Sequence, residues 1–391
     1  IQTVRAALDG FRGQRVIVVG DVIRESYTLC DVREAAGDAP VLSLNKLGER
    51  HYWGGAAAVA LQLHALGARP ALLAPIGRDE CSRRIAEELC RFEVETKLFS
   101  QRDRLVHRTT VVADDAKLYH LTEGATQPLD SVWEQRFIAA LESHWAEASL
   151  LVWCEGGAGA VTPNLVSELT RRARNAGLRI AGAAPGDRGD IRLLRDTDLL
   201  CLTERRLRGA MHDLGSGLPA IAWRMLDRLA GKTAIVSLHK RGWIGFDGRR
   251  QAGDADADSS QPVRLKSEFV PTVQRQHVDL LGTEEAVFAT ASLLLAQGAS
   301  VPLATYLGGA AGSLAAMRPG RSRPTASDLA SWLDSRPELR AESRFLPDAA
   351  TIADIARIAP PLELTDSADS HAGEPHDPRP AAALTPSPEA D

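Results

Sequence analysis

A chain of 391 residues, 44% apolar and 25% charged, has the make-up of an ordinary globular protein of one large domain or two. Its net charge of −5 offers no general attraction to nucleic acid or an anionic membrane, and no apolar run approaches the roughly 20 residues of a membrane span. Five scattered cysteines (Cys30, Cys81, Cys90, Cys154, Cys201) lack metal-ligand spacing and no leader pattern opens the chain, which together predict a reducing, cytoplasmic setting.

In chain order, a short helix over Val4–Phe11 leads into Arg15–Gly20, a continuous apolar run with the character of a buried parallel strand. Val41–Leu47 alternates apolar and polar residues and predicts a half-exposed strand. Gly54-Gly55 opens an Ala-rich helix, Ala56–Leu66, stopped by Gly67. Pro70–Pro75 and Glu95–Phe99 read as strands around a helix over Glu80–Phe92; Arg108–Ala113 and Lys117–Leu121 form a hairpin across Asp114-Asp115. Further helices are expected at Trp133–Ala148, Pro163–Ala176, Glu204–Met211 and Ala220–Leu229. They alternate with strands at Leu150–Cys154, Leu178–Ala183, Leu199–Leu202 and Thr233–Leu238.

Strands alternating with helices specify parallel βαβ units and a doubly wound α/β sheet with helices on both faces. The more polar strands, about 41–47 and 106–121, do not suit that sheet and fit a small β lid whose edges invite pairing as a homodimer. The acidic stretch Gly253–Gln261 lacks the turn glycine and terminal glutamate of a calcium loop and reads as a solvated loop. The expected organisation is a main domain over 1–336, a helical extension over 337–364 and a disordered Pro-, Ala- and acid-rich tail over 365–391.

Six segments stand out: Val16–Tyr27 with Gly20-Asp21 and Glu25, Ala39-Pro40-Val41, Glu49–Ala60 with Trp53-Gly54-Gly55-Ala56-Ala57, Ala65–Ala68, Ile76–Asp79 and Val278–Phe288. Together they resemble the ribokinase (PfkB-type) carbohydrate kinases, and within them the heptose-phosphate kinase branch. The resemblance covers roughly 12–335 and implies a ribokinase-like fold, ATP with Mg2+, and phosphoryl transfer to a sugar or sugar phosphate.

It also implies roles for individual residues, each with a plainer alternative. Asp21 and Glu25 would accept sugar hydroxyls, or Asp21 is a turn residue. Gly54 and Gly55 would bring amides to the sugar, or simply start a helix. Arg108 would face a substrate phosphate, or stand as an exposed strand arginine, and His120 replaces an arginine of the branch. Glu204, from the family's Asn-x-x-Glu with Cys201 in place of Asn, would serve the magnesium side, or favour a helix start. Ser237 and Gly242 retain parts of a nucleotide loop whose middle glycine is His239, and Ala184-Pro185-Gly186 replaces Asp-Pro-Lys.

The family's catalytic junction Asp-x-x-Gly-Ala-Gly-Asp is here Asp279-Leu-Leu-Gly282-Thr283-Glu284-Glu285. Gly282 and the amides beside Thr283 and Glu284 would form the anion hole, with Glu285 as base. The same residues make a plain helix start with Thr283 as cap and acids in the first turn. A kinase, a catalytically inactive homologue that binds a sugar or a protein, and, more weakly, an enzyme with a different donor or reaction on the same fold are the readings the sequence leaves standing.

Overall fold

The computed structural model describes residues 2–33, 42–114, 116–124, 126–185, 188–249, 265–272 and 278–336. The sequence expectations for 253–261, 337–364 and 365–391 lie outside them. The first half runs α1 (Gln2–Asp9), β1 (Arg15–Gly20), β2 (Val22–Val32), β3 (Leu44–Gly55), α2 (Ala56–Ala65), β4 (Arg69–Ile76), α3 (Glu80–Arg91), β5 (Glu95–Ser100), β6 (Val106–Ala113) and β7 (Ala116–Glu123). There follow α4 (Ser131–Ala140), β8 (Leu150–Cys154), α5 (Pro163–Asn175), β9 (Arg179–Ala183), β10 (Leu199–Thr203), α6 (Glu204–Met211) and α7 (Leu218–Leu229). The series ends with β11 (Thr233–Ser237), β12 (Gly242–Asp247), β13 (Lys266–Pro271), α8 (Thr283–Ala296), α9 (Val301–Ala316) and α10 (Ala326–Asp334).

β1 shows why the centre is a covered sheet. Val16 and Val18 pack into one apolar layer with α2, α8 and α9, while Ile17 and Val19 pack into the other with α4, α5 and α7. A strand buried on both faces has no polar alternation to offer. The sheet order is β13-β12-β11-β10-β9-β8-β1-β4-β5, parallel from β11 to β5. β12 and β13 close one side antiparallel. Parallel strands bring their carboxyl ends, at Asp21, Glu155, Ala184, Thr203 and Ser237, to one edge, where open α/β sheets bind ligands.

The second sheet, β3-β2-β6-β7, is the expected lid. It differs from the sequence reading in one large respect. β2 starts immediately after Asp21, so β1 and β2 read as one run although they belong to different sheets. β3 begins at Leu44 and continues through Gly55, well past Leu47. The helix expected over Trp133–Ala148 stops at Ala140; His144 donates to Leu141 O and the chain continues in tight turns. Among the described residues no helix is long and apolar enough to cross a membrane.

Candidate functional site

Asp21 marks the passage from body to lid. Gly20 allows it: a Cβ there would meet the Cys154 carbonyl oxygen at 2.1 Å. The Asp21 carboxylate is fully buried and accepts from the amides of Gly156 (3.2 Å), Ala158 (3.0 Å) and Ala160 (3.0 Å), and from Arg102 Nη2 (3.0 Å). Four donors surround it, so Asp21 organises the loop after β8. Gly55, at φ +62°, turns β3 into α2 directly over Asp21, whose carbonyl accepts from Ala56 N at 2.8 Å. A Cβ at Gly55 would stand 2.2 Å from that oxygen, and one at Gly54 would stand 2.8 Å from the Glu25 carboxyl carbon. The glycine pair serves close packing of lid on body.

Glu25, on the site-facing side of β2, meets two arginines. Arg108 Nη1 from β6 lies 3.4 Å from Oε1, and Arg321 Nη2 pairs with Oε2. The same Arg321 places Nη1 2.5 Å from Glu285 Oε1 in the first turn of α8. Arg321 is 8% exposed. Burial by itself would lower its pKa; Glu285 and then Glu25 outweigh that and hold it above its ordinary value. One guanidinium thus joins the lid carboxylate to the carboxylate at the base position. Nothing in the motif signalled Arg321, which lies 36 residues beyond Glu285.

The start of α8 corrects one expectation. Gly282, at φ +87°, takes the N-cap position and Thr283 is the first helical residue, its buried hydroxyl without a hydrogen bond. A left-handed backbone there is glycine's natural place. Glu284 and Glu285 stand in the first turn, as expected. Asp279 fixes the approach: its carboxylate accepts from Leu281 N (3.0 Å) and Gly320 N (3.1 Å), tying this loop to the one that carries Arg321. Burial, followed by the Asp279 and Glu25 charges, raises the nearby Tyr27 phenol. His120 bonds Thr110 Oγ1 (2.9 Å) within the lid.

The nucleotide-side residues lie apart from this cluster. The Glu204 oxygens accept from Arg208 Nε and Arg241 Nη2, each at 2.9 Å. Ser237 Oγ accepts from His239 N (3.2 Å), and Gly242 opens β12 at φ +120°, where a Cβ would stand 2.2 Å from the Val270 carbonyl oxygen. Ser237, Cys201, Glu284 and Glu285 line an apolar cavity with Trp243 and Phe288; its volume of about 30 Å³ suits a water or two, not a nucleotide. Burial, then Glu284, pushes the Cys201 thiol up. Beside it opens a pocket of about 570 Å³, within the range of small-ligand sites, lined by Arg188, Arg192, Arg205, Arg206, His239 and again Glu284. Glu155 lies near this side: its carboxylate accepts from Gly157 N (3.0 Å) and Asp190 N, and burial, then the Asp21 charge, pushes it up to about 7. Sequence reasoning missed Glu155 and the arginines because no short motif contains them. Among the described residues no His/Cys/Asp/Glu cluster is arranged to hold a metal ion.

No protein-family model matches the chain. It is 25% identical over 330 residues to the bifunctional protein HldE of Mesorhizobium japonicum, covering 84% of this chain and 64% of that protein. It is 27% identical over 354 residues to the HldE protein of Halorhodospira halophila, covering 88% and 69%. The chain thus spans about two thirds of the length of these relatives. Among solved structures it is similar to phosphofructokinase-2 from Escherichia coli in complex with potassium (TM-score 0.64, 16% identity, 82% of this chain and 97% of that one). It is likewise similar to Arabidopsis thaliana ribokinase complexed with ribose and ATP (TM-score 0.62, 16% identity, 83% and 100%). The chain is a homologue of the HldE proteins built on the ribokinase fold.

Proposed function

We propose that the protein is an ATP-dependent kinase of a sugar phosphate, with a heptose phosphate as the nearest acceptor class. The observation that carries this reading is the convergence of Glu25 from the lid and Glu285 from the start of α8 on one point at the carboxyl edge of the sheet. In this reading Glu25 accepts acceptor hydroxyls and Arg108 faces the acceptor's phosphate. Glu285 takes the hydroxyl proton, and the amides following Gly282 face the charge that develops. When bound, ATP with magnesium supplies the transferable phosphoryl group and neutralises its charge. The arginine-lined pocket beside Glu284 fits a polyphosphate tail by its chemistry, with Arg188, Arg205, Arg206 and His239 as holders and Ser237 and Gly242 beside them. Glu204 would serve a metal with the lone pairs that Arg208 and Arg241 leave on its two oxygens. The exposed lid strand β7, with Tyr119 and Leu121 each 53% exposed, is the edge through which a homodimer would form.

A second reading, an inactive homologue that keeps a sugar- or protein-binding role, is favoured by the ion pair that occupies Glu285. Melting of the chain with Mg-ATP and with sedoheptulose 7-phosphate, paired with ADP release, separates the two. The kinase raises the melting temperature with both compounds, by about 2.7 kcal/mol of stabilisation at 100-fold over Kd. Glu285→Gln then lowers kcat at least ~100-fold. Stabilisation by the sugar phosphate alone, with no ADP release, overturns the ATP-dependent kinase and favours the inactive homologue or an enzyme with a different donor.

A further inference from the structure

Apart from Val22 and Trp53, which pack on the body's core beside the two connections, the lid has little apolar hold on the body. Its buried apolar clusters are small: Ile23 and Val106 against Ala158, and Cys30 with Val111 and Ala113. The chain enters the lid at Asp21-Val22 and leaves it at Gly55-Ala56, so both covalent connections lie at one end. Elsewhere the lid meets the body through polar contacts. Lys117 Nζ stands 4.0 Å from Asp279, too far for a strong bond, and Tyr52 lies over Gly320. Near the two connections Trp53 Nε1 donates to Glu88 Oε2 (2.6 Å) and Arg24 Nη1 to Cys81 Sγ (2.9 Å), both on α3; the contact that reaches the start of α8 is Arg321 on Glu25, made by the residue that also grips Glu285.

We propose that Arg321 is a latch that draws the lid shut on the start of α8, and that an anionic acceptor opens the site by taking the guanidinium over. Three features make it a latch and not a fixed strut. Both of its bonds are side chain to side chain, so either carboxylate can exchange for another anion without moving backbone. Its Nε is a buried donor with no hydrogen-bond partner, a place an incoming oxyanion would fill. Arg108 already shares Glu25, so opening the pair leaves two guanidinium groups, Arg108 on the lid and Arg321 on the body, facing the same opening, a good match for a phosphate monoester. The pair is nearly dry, and added salt has small effect on it. The ligand half of this proposal rests on the sugar-phosphate reading above; the latch itself does not.

Hydrogen exchange on the full chain tests the latch without any turnover. In Arg321→Gln the amides of Val22–Val32 and Val106–Ala113 exchange roughly 10-fold faster than in the parent, while Arg15–Gly20 and Leu150–Cys154 keep their rates. Arg321→Lys, which keeps the charge, restores most of the lid's protection. Unchanged lid exchange overturns the latch; equal acceleration in the central strands also overturns it, because Arg321 is then a strut of the whole domain. Should Arg321→Gln fail to fold, Glu25→Gln cuts the lid side of the pair alone and gives the same lid-confined acceleration. Sedoheptulose 7-phosphate at saturation should speed exchange of those lid amides in the parent, by taking Arg321 from Glu25, and should lose about 10-fold in affinity in Arg321→Gln. Loss of lid protection in the variant with no ligand effect in either protein retains the latch and removes the acceptor reading.

Discussion

Asp21, fully buried, and Glu285, half-buried, are carboxylates at the same edge of one sheet, and they are held in opposite ways. Asp21 is fixed by three backbone amides of the loop after β8 as well as by Arg102. Glu285 depends on one side chain, Arg321, which it shares with Glu25. Backbone donors cannot leave without refolding their loop, whereas a shared guanidinium can change partners. The Asp21 end of the cleft is therefore fixed by backbone, and the Glu285 end is held by side-chain contacts that can exchange.

The contrast breaks most visibly at Asp21. Asp21→Ala strips the acceptor from three amides and leaves the Arg102 charge, 2% exposed, without its carboxylate. Breaking a buried pair from one side costs about 3–5 kcal/mol, before the orphaned amides are counted. Urea unfolding should show a loss of that size or no folded protein at all. A loss below about 1 kcal/mol, together with abolished sugar-phosphate binding, would make Asp21 a ligand residue and erase the contrast.

Next in size is a pH effect confined to the Asp21 end. Burial and the Asp21 charge raise the Glu155 carboxyl from 4.5 to about 7, so the folded state binds its proton more tightly than the unfolded chain. The stability this contributes is fully present below about pH 4.5 and is lost as pH rises through 7. The full swing is about 3 kcal/mol. Urea midpoints at pH 5 and pH 8 measure it, and Glu155→Gln should flatten this component of the curve even though it lowers stability at both.

How much of this could be read beforehand follows the same division. The two-faced burial of Val16–Val19, the helix Ala56–Ala65 and the alternation through Ser237 are periodic patterns, and they foretold the sheet and its helices. Gly54-Gly55, Glu25 and Gly282 were legible as a family spacing. β2 was not, because Asp21 is a single residue of punctuation between two apolar runs of similar composition. Arg102, Glu155 and Arg321 were invisible for a different reason. Each acts on a partner 81, 134 or 36 residues away in sequence (Asp21, Asp21 and Glu285), and only the closed fold brings those charges together. The cap of α8 fell to Gly282 and not Thr283 because the chain reaches the helix through a left-handed turn, which a hydroxyl-capping residue in extended backbone does not make.

The smallest effect tests the Glu285 end directly. Gly282→Ala puts a side chain on a backbone at φ +87°, a conformation that costs a non-glycine residue about 1 kcal/mol. The new Cβ would also stand 3.0 Å from Arg321 Cγ, so the arginine has to give by a few tenths of an ångström. A stem of three methylenes can do that, and the expected loss is about 1–2 kcal/mol in urea unfolding, well under that of Asp21→Ala. If the guanidinium is displaced with its stem, lid amides in β2 lose protection while the Asp21 loop keeps its own. A penalty as large as that of Asp21→Ala would mean the loops of Gly282 and Arg321 are as rigid as the loop after β8, and the difference between the two carboxylates would be one of wiring alone.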